Sequence, residues 1–432
     1  MLARRLLCAL PVVLLLGVAP ASAAPGPGVQ SFGADSYGQL GDGASASAPL
    51  PVAVGGLGNV SAIAAGCYHS LALDAAGVVW TWGLNDDGEL GDGTTAQRGV
   101  PAQVGGLPAR VVGIAAGCHH SLALTSTGQV YAWGEAAQGG IGDGSDSLSA
   151  RLRPVHVAAL DALHVARVAA GGEHSAAVTG DGAVYAWGDN RSGQLGTGDT
   201  VQHSVPVRVA SVPAVAAVAL GQEHSLFVAA DHGLYAAGLN NHGQLGDGST
   251  TDHATPALVA HDVKQAAAGD GFSVAVSTAG TVLSWGRGEA GRLGSGDSTD
   301  HKAPTAVPGT GDVVEVAAGG RHVLARTSSG GLLTWGEGGD GQLGDGGNAV
   351  RATSGVSALL QNVTAVAAGE AHSLVLVGAA GAAVTAATAA TGTTGSVGVP
   401  NTSASPAAAV VPAVAALLVA AAIMARGRRR RA

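Results

Sequence analysis

The sequence predicts an all-β fold: a seven-bladed β-propeller closed by its N-terminal strand. Three observations predict it. A stretch of the form W-G, then G-Q-L-G-x-G, occurs seven times at a spacing near fifty residues. A second signature, A-A-G-x-x-H-S, keeps step with it through seven copies. The two ends of the repeat body are complementary, as a closed ring requires. A period of this length marks stacked units that each bury their faces against neighbours.

Residues 78–93, VVWTWGLNDDGELGDG, exemplify the first signature. It returns at Trp133, Trp187, Ala237, Trp285 and Trp335, with a variant at Phe32. The second begins at Ala64, Ala115, Ala169, Ala219, Ala267, Ala317 and Ala367. In the second unit the pattern predicts four strands near 100–104, 111–116, 120–125 and 129–133, separated by glycine turns. Ala, Val and Leu occupy both alternating positions of these strands, as expected for sheets covered on both faces. Seventy glycines in 432 residues favour short strands and tight turns over helices. The last A-A-G half ends at Val377 with no V-Y-x-W-G strand behind it. Val29-Gln30-Ser31-Phe32-Gly33 matches the missing strand, and such closure removes two exposed sheet edges. The interval from Trp133 to Trp187 is longer than the others, which predicts an extended loop over 145–153.

The segments flanking the body have their own signatures. Residues 1–23 read as a signal peptide: Arg4 and Arg5, an apolar run, then Ala21-Ser22-Ala23. The propeller is expected over 24–378. Residues 379–406, rich in Ala, Gly, Thr, Ser and Pro, read as a flexible stalk. Residues 407–425 are apolar and uncharged, long enough for a transmembrane helix. Residues 426–432 form a basic tail that places the propeller outside the cell. Val399-Pro400-Asn401-Thr402-Ser403 is a sortase-type motif, with Val399 for the usual Leu and Ser403 for the usual Gly; cell-wall attachment is thus the alternative to a retained anchor. Only Lys264 and Lys302 represent lysine, a bias typical of GC-rich bacterial genomes. Removing the seven terminal arginines from a net charge of −9 leaves −16 on the body. Such a surface repels phosphate backbones, so no nucleic-acid partner is expected.

The unit W-G-x-N-x-x-G-Q-L-G-x-G, P-x-x-V, V-A-x-G-x-x-H-S-L-A-L resembles the repeat of the regulator of chromosome condensation family, over roughly 29–377. The resemblance implies a seven-bladed propeller. Departures are local: Ala237 replaces tryptophan, Phe272 histidine and Val323 serine. The founding member exchanges guanine nucleotide on a GTPase; export and acidity disfavour that activity here. A secreted bacterial propeller that inhibits β-lactamases is similar in architecture and suggests an inhibitor as the alternative function. The loops offer Tyr37 and Tyr68 as large aromatics.

The glycine-rich loops are read as structural turns, because a phosphate cradle occurs once and precedes a helix. His69, His120, His174, His224, His322 and His372 recur around the ring. They are read as buried histidines satisfying backbone groups of their own blade. No metal site is expected, since a ring spreads ligands that zinc needs convergent. No acidic residue keeps a fixed place beside them, so a catalytic Ser–His pair is not expected; nor is any cofactor. Cys67 and Cys118 hold equivalent positions in adjacent units. They are either bridged, as export allows, or two buried thiols. A bridge needs a Cα separation under about 7 Å and hence a place near the axis. The residues between the glycine and the histidine of each unit vary, and the fold does not fix them. Tyr68, His119, Glu173, Glu223, Asp270 and Arg321 are the partner-binding candidates. The expected function is that of a non-catalytic, surface-displayed, monomeric propeller binding a protein or cell-envelope partner through its loop face.

Overall fold

Runs of Ala, Val and Leu bounded by glycine turns become strands of five to eight residues. The computed structural model describes residues 28–145, 149–357 and 359–378. Within them, seven four-stranded antiparallel sheets follow one another along the chain. Blade 1 consists of Val60–Ala65, His69–Asp74, Val79–Gly83 and Arg98–Gln103. Blades 2 to 6 repeat this order from Val111, Val165, Val215, Val263 and Val313. The sequence unit is therefore offset from the blade: the strand near residue 100 is the outer strand of blade 1, not the first of blade 2.

Blade 7 joins the two ends of the body. Val363–Ala368 and His372–Val377 pair with Gly28–Gly33 and Ala48–Ala53. The register runs from Gly28 opposite Val377 to Gly33 opposite His372. Two N-terminal strands close the ring, where the sequence predicted one. Arg151–His156 is the outer strand of blade 2, so the loop expected over 145–153 ends before Arg151. Among the described residues no helix is long and apolar enough to cross a membrane. The segments read as signal peptide, stalk, transmembrane helix, basic tail and sortase-type motif lie outside them.

Neighbouring blades are joined by the W-G loops. Gly91, at φ 66°, lies so close to the next blade that a Cβ would stand 2.9 Å from the Trp133 indole. Trp133 Nε1 donates to Glu89 O at 2.7 Å. Trp82, Trp187, Trp285 and Trp335 donate to Gln39, Gly140, Gln244 and Arg292 carbonyls in the same way. Each indole is fully buried. Blade 4 has Ala237 here. Its volume is filled by buried Phe227, where five other blades carry alanine, and by buried Pro256 against Gly196.

The recurring histidines correct the sequence expectation. Their Nε2 atoms bond not to their own backbone but to the serine of the next blade. The pairs are His69–Ser121, His120–Ser175, His174–Ser225, His224–Ser273, His322–Ser373 and His372–Ser70, all at 2.8–3.0 Å. Each of these serines donates its one proton to a loop carbonyl. Nε2 must then carry the hydrogen that the serine accepts. The ring lacks one link, and Phe272 and Val323 stand there, packed in one apolar cluster. The two departures are a single exchange of a buried polar pair for an apolar one, which costs little when both partners change. Phe272→His alone is expected to leave a buried N–H without an acceptor and to lower stability by about 1–3 kcal/mol. Adding Val323→Ser should return part of that loss. Urea unfolding of both singles and the double measures the coupling, and additive effects would refute the pairing.

Candidate functional site

In each blade the turn between the first two strands and the residue after W-G are tied together. Tyr68 O accepts from Leu84 N, His119 O from Glu135 N, Glu173 O from Asp189 N and Glu223 O from Leu239 N. Gly271 O accepts from Arg287 N, and Arg321 O from Glu337 N. Gly83 and its equivalents permit this approach: at φ 106°, a Cβ on Gly83 would lie 2.5 Å from Tyr68 O. One end of the propeller thus presents two variable residues per blade around the axis.

The innermost strands of all seven blades line an axial cavity of about 330 Å³, mostly with Ala and Gly. It shares Cys67, Cys118, Gly172, Gln222, Asp270 and Glu370 with a second cavity of about 410 Å³ at the mouth. Tyr68, His119, Glu173, Glu223 and Asp270 line that mouth, together with Asp189 and Arg191. Arg321, the sixth predicted residue, is not among its lining and stands 3.7 Å from Glu337. Cys67 and Cys118 are joined by a disulfide with Cα atoms 4.4 Å apart, linking blades 1 and 2 near the axis. Gln222 reaches across from blade 4, its Nε2 3.0 Å from Cys118 Sγ.

The mouth is strongly acidic on the side of blades 1 to 4. Glu173, Asp189 and Glu223 line it, and Asp87, Glu89 and Glu135 stand behind it around His119. Burial, and then Asp189, push the Glu173 carboxyl above its usual range. Burial also raises Glu135, and burial followed by the Glu89 charge raises Asp87. Burial opposes ionisation of Asp189 too, but bonds from Arg191 outweigh it and hold that carboxyl down. On the other side, Arg287, Arg292 and Arg321 offset most of the charge of Asp270, Glu289, Glu337 and Glu370. Tyr37 and Tyr68 meet edge to face at 5.3 Å on the rim.

Sequence reasoning found the turn positions and missed their partners after W-G: Glu135, Asp189, Arg287 and Glu337. The signal was present, since that position varies between units as the turn position does. It also missed Glu89, which stands where four other loops carry glutamine.

A family model described as an RCC1-like domain matches residues 28–407. The chain is 35% identical to the ultraviolet-B receptor UVR8 of Arabidopsis thaliana over 189 residues, 42% of either chain. The matched stretch therefore spans less than half of that receptor. Among solved structures, Prp20p of Saccharomyces cerevisiae, described with binding properties to Gsp1p and histones, is 25% identical. Its TM-score is 0.73 over 81% of this chain and 91% of its own. Human WBSCR16 is 26% identical, with a TM-score of 0.74 over 82% of this chain and all of its own.

Proposed function

The chain belongs to the RCC1-like domain family, and from that premise we propose that it is a non-catalytic propeller docking a protein partner on its channel-mouth face. The observation that carries the reading is the mouth itself. Variable side chains converge there around an acidic cavity, beside an aromatic pair suited to act as an anchor. The charge favours a partner that presents a basic segment. That the yeast relative Prp20p has binding properties to Gsp1p and histones supports a protein ligand for this architecture.

The ring of Ser–His bonds offers no catalysis on this reading. It is buried, its serine protons point to carbonyls, and no carboxylate orients the imidazoles, so no nucleophile is activated. The Cys67–Cys118 bridge suits an oxidising compartment and supports export. Surface display, by membrane anchor or wall attachment, is the form of export the terminal segments favour.

The test is capture from the secreted and surface fraction of the source cell by residues 24–378. A stoichiometric protein partner is expected, and rising salt should weaken its retention. Glu173→Arg with Glu223→Arg should reduce its affinity at least about tenfold, or ~1.4 kcal/mol. Ser126→Arg, in an exposed turn after the second strand of blade 2, should not. Equal capture by the mouth variant, or retention only on purified cell wall, would contradict the proposal.

A further inference from the structure

We propose that Asp87, Glu89 and His119 bind one divalent transition-metal ion, of the zinc type, at the edge of the channel mouth. The inference stands on the isolated chain and does not require the partner proposed above.

It begins with the residue before the leucine in each W-G loop. Gln39, Gln194, Gln244 and Gln342 hold this place in four loops. Each uses its Oε1 to accept a backbone N–H two residues earlier, at 2.9 Å. Glu89 keeps that bond: its Oε2 accepts from Asp87 N at 2.9 Å. The structural demand on the position is therefore met by one oxygen. The other differs. Gln194 and Gln244 spend their amide N–H₂ on Asp189 and Asn241. Glu89 instead carries an oxygen, and this Oε1 is buried without a hydrogen-bond partner. The Glu89 side chain is fully buried. A carboxylate oxygen closed off from water is costly unless a cation meets it.

The atom it faces makes no hydrogen bond of ordinary geometry either and stands only at ion-pair distance. His119 Nδ1 is buried with no hydrogen bond, 3.5 Å from Glu89 Oε1 and 3.9 Å from Asp87 Oδ2. These distances exceed a hydrogen bond. They approach the separation of about 3.3–3.4 Å between two donors on a tetrahedral ion with bonds of about 2.0–2.1 Å. All three donor atoms lie within 4.8 Å of one another. One imidazole and two carboxylates suit zinc and its neighbours in the first transition row, whereas calcium and magnesium prefer oxygen alone. Two carboxylates neutralise a divalent charge, and Glu135 adds negative potential beside His119. His119 also lines the mouth cavity, and the Asp87 side chain is partly exposed, so an ion has a route to the three donors.

The site differs from the recurring histidines, whose Nε2 atoms are engaged with serine. His119 precedes one of them and varies between units, which is why the ring argument against a metal did not reach it.

The competing occupant is a proton: His119 charged and paired with Glu89. Full-length chain, stripped with a chelator and free of any histidine tag, should bind one zinc ion near neutral pH in competition with a chromophoric chelator. Glu89→Gln installs the side chain that four other loops carry, so its melting temperature without metal should stay close to that of the parent. Its zinc affinity should fall by at least about 10–100-fold, the loss typical even of outer-shell partners. His119→Ala should fall as far, and calcium should not compete. No zinc uptake by the parent, or uptake unchanged in folded Glu89→Gln, would overturn the proposal in favour of the proton.

Discussion

Acidification from about pH 6.5 to about pH 5 is expected to remove on the order of 8 kcal/mol of stability, through four histidines alone. Burial lowers His174 and His322 to about 4, and His224 and His372 to about 3. Like charge between histidines adds to the effect at His224 and His372. Each holds its Nε2 hydrogen on a serine of the next blade and is buried away from bulk solvent. Because the folded values lie below the unfolded value of about 6.5, the unfolded chain binds more protons as the pH falls. The stabilisation is complete above pH 6.5 and declines toward the folded values. At pH 5 each histidine contributes a loss of about 2 kcal/mol. Asp35, raised by burial to about 6, acts in the opposite sense, as do the raised carboxyls of Asp87, Glu135, Glu173 and Glu370, and together they offset part of this loss. Since whole domains are stable by about 5–15 kcal/mol, a loss of this order should lower the urea midpoint clearly in mild acid. Urea midpoints measured across this range test it. A flat profile would show that the imidazoles accept protons in place.

Trp285→Ala is expected to cost about 3–5 kcal/mol, as for other buried aromatic truncations. The indole is fully buried between blades, and its Nε1 bond to Gln244 O is lost with it. Blade 4 shows how the protein itself fills such a gap: Ala237 is accompanied by Phe227, on the neighbouring strand of the same sheet. Ala275 is the equivalent of Phe227 in blade 5. Adding Ala275→Phe to Trp285→Ala should therefore return about 1 kcal/mol or more of the loss. Recovery should be partial, because Pro304 does not take the buried place that Pro256 holds in blade 4. Chemical denaturation of the singles and the double gives the coupling. A double variant no more stable than Trp285→Ala would contradict the account of Ala237.

The second case shows what the sequence made legible and what it did not. Period, strand positions and ring closure could be read because each repeats or fails to repeat at a visible place. Contacts between blades could not, since their partners lie about fifty residues apart with nothing local to connect them. Ala237, Phe272 and Val323 each looked like an isolated departure. In three dimensions Phe272 and Val323 are one exchange, and Ala237 is the small half of a pair with Phe227. The same limit applied to closure: Val29–Gly33 matched a missing strand by sequence, whereas Ala48–Ala53 has an outer-strand composition and announced no partner.

The mouth was legible to a similar depth. Variation against a constant frame marked Tyr68, His119, Glu173, Glu223 and Asp270, which line one cavity. It also marked Arg321, which does not. Glu89 escaped notice because exchanging an amide for a carboxylate is a small change in sequence. It becomes a large one only where burial shuts out water, as the fold does here.

The claim that the mouth face docks the partner is tested most directly by amide hydrogen exchange of the chain with and without the captured protein. Protection is expected at residues 67–69, 118–120 and 172–174 and in the loops that follow Gly83, Gly134 and Gly188. Protection confined to the outer strands, or to the turns at the opposite end of the propeller, would contradict it.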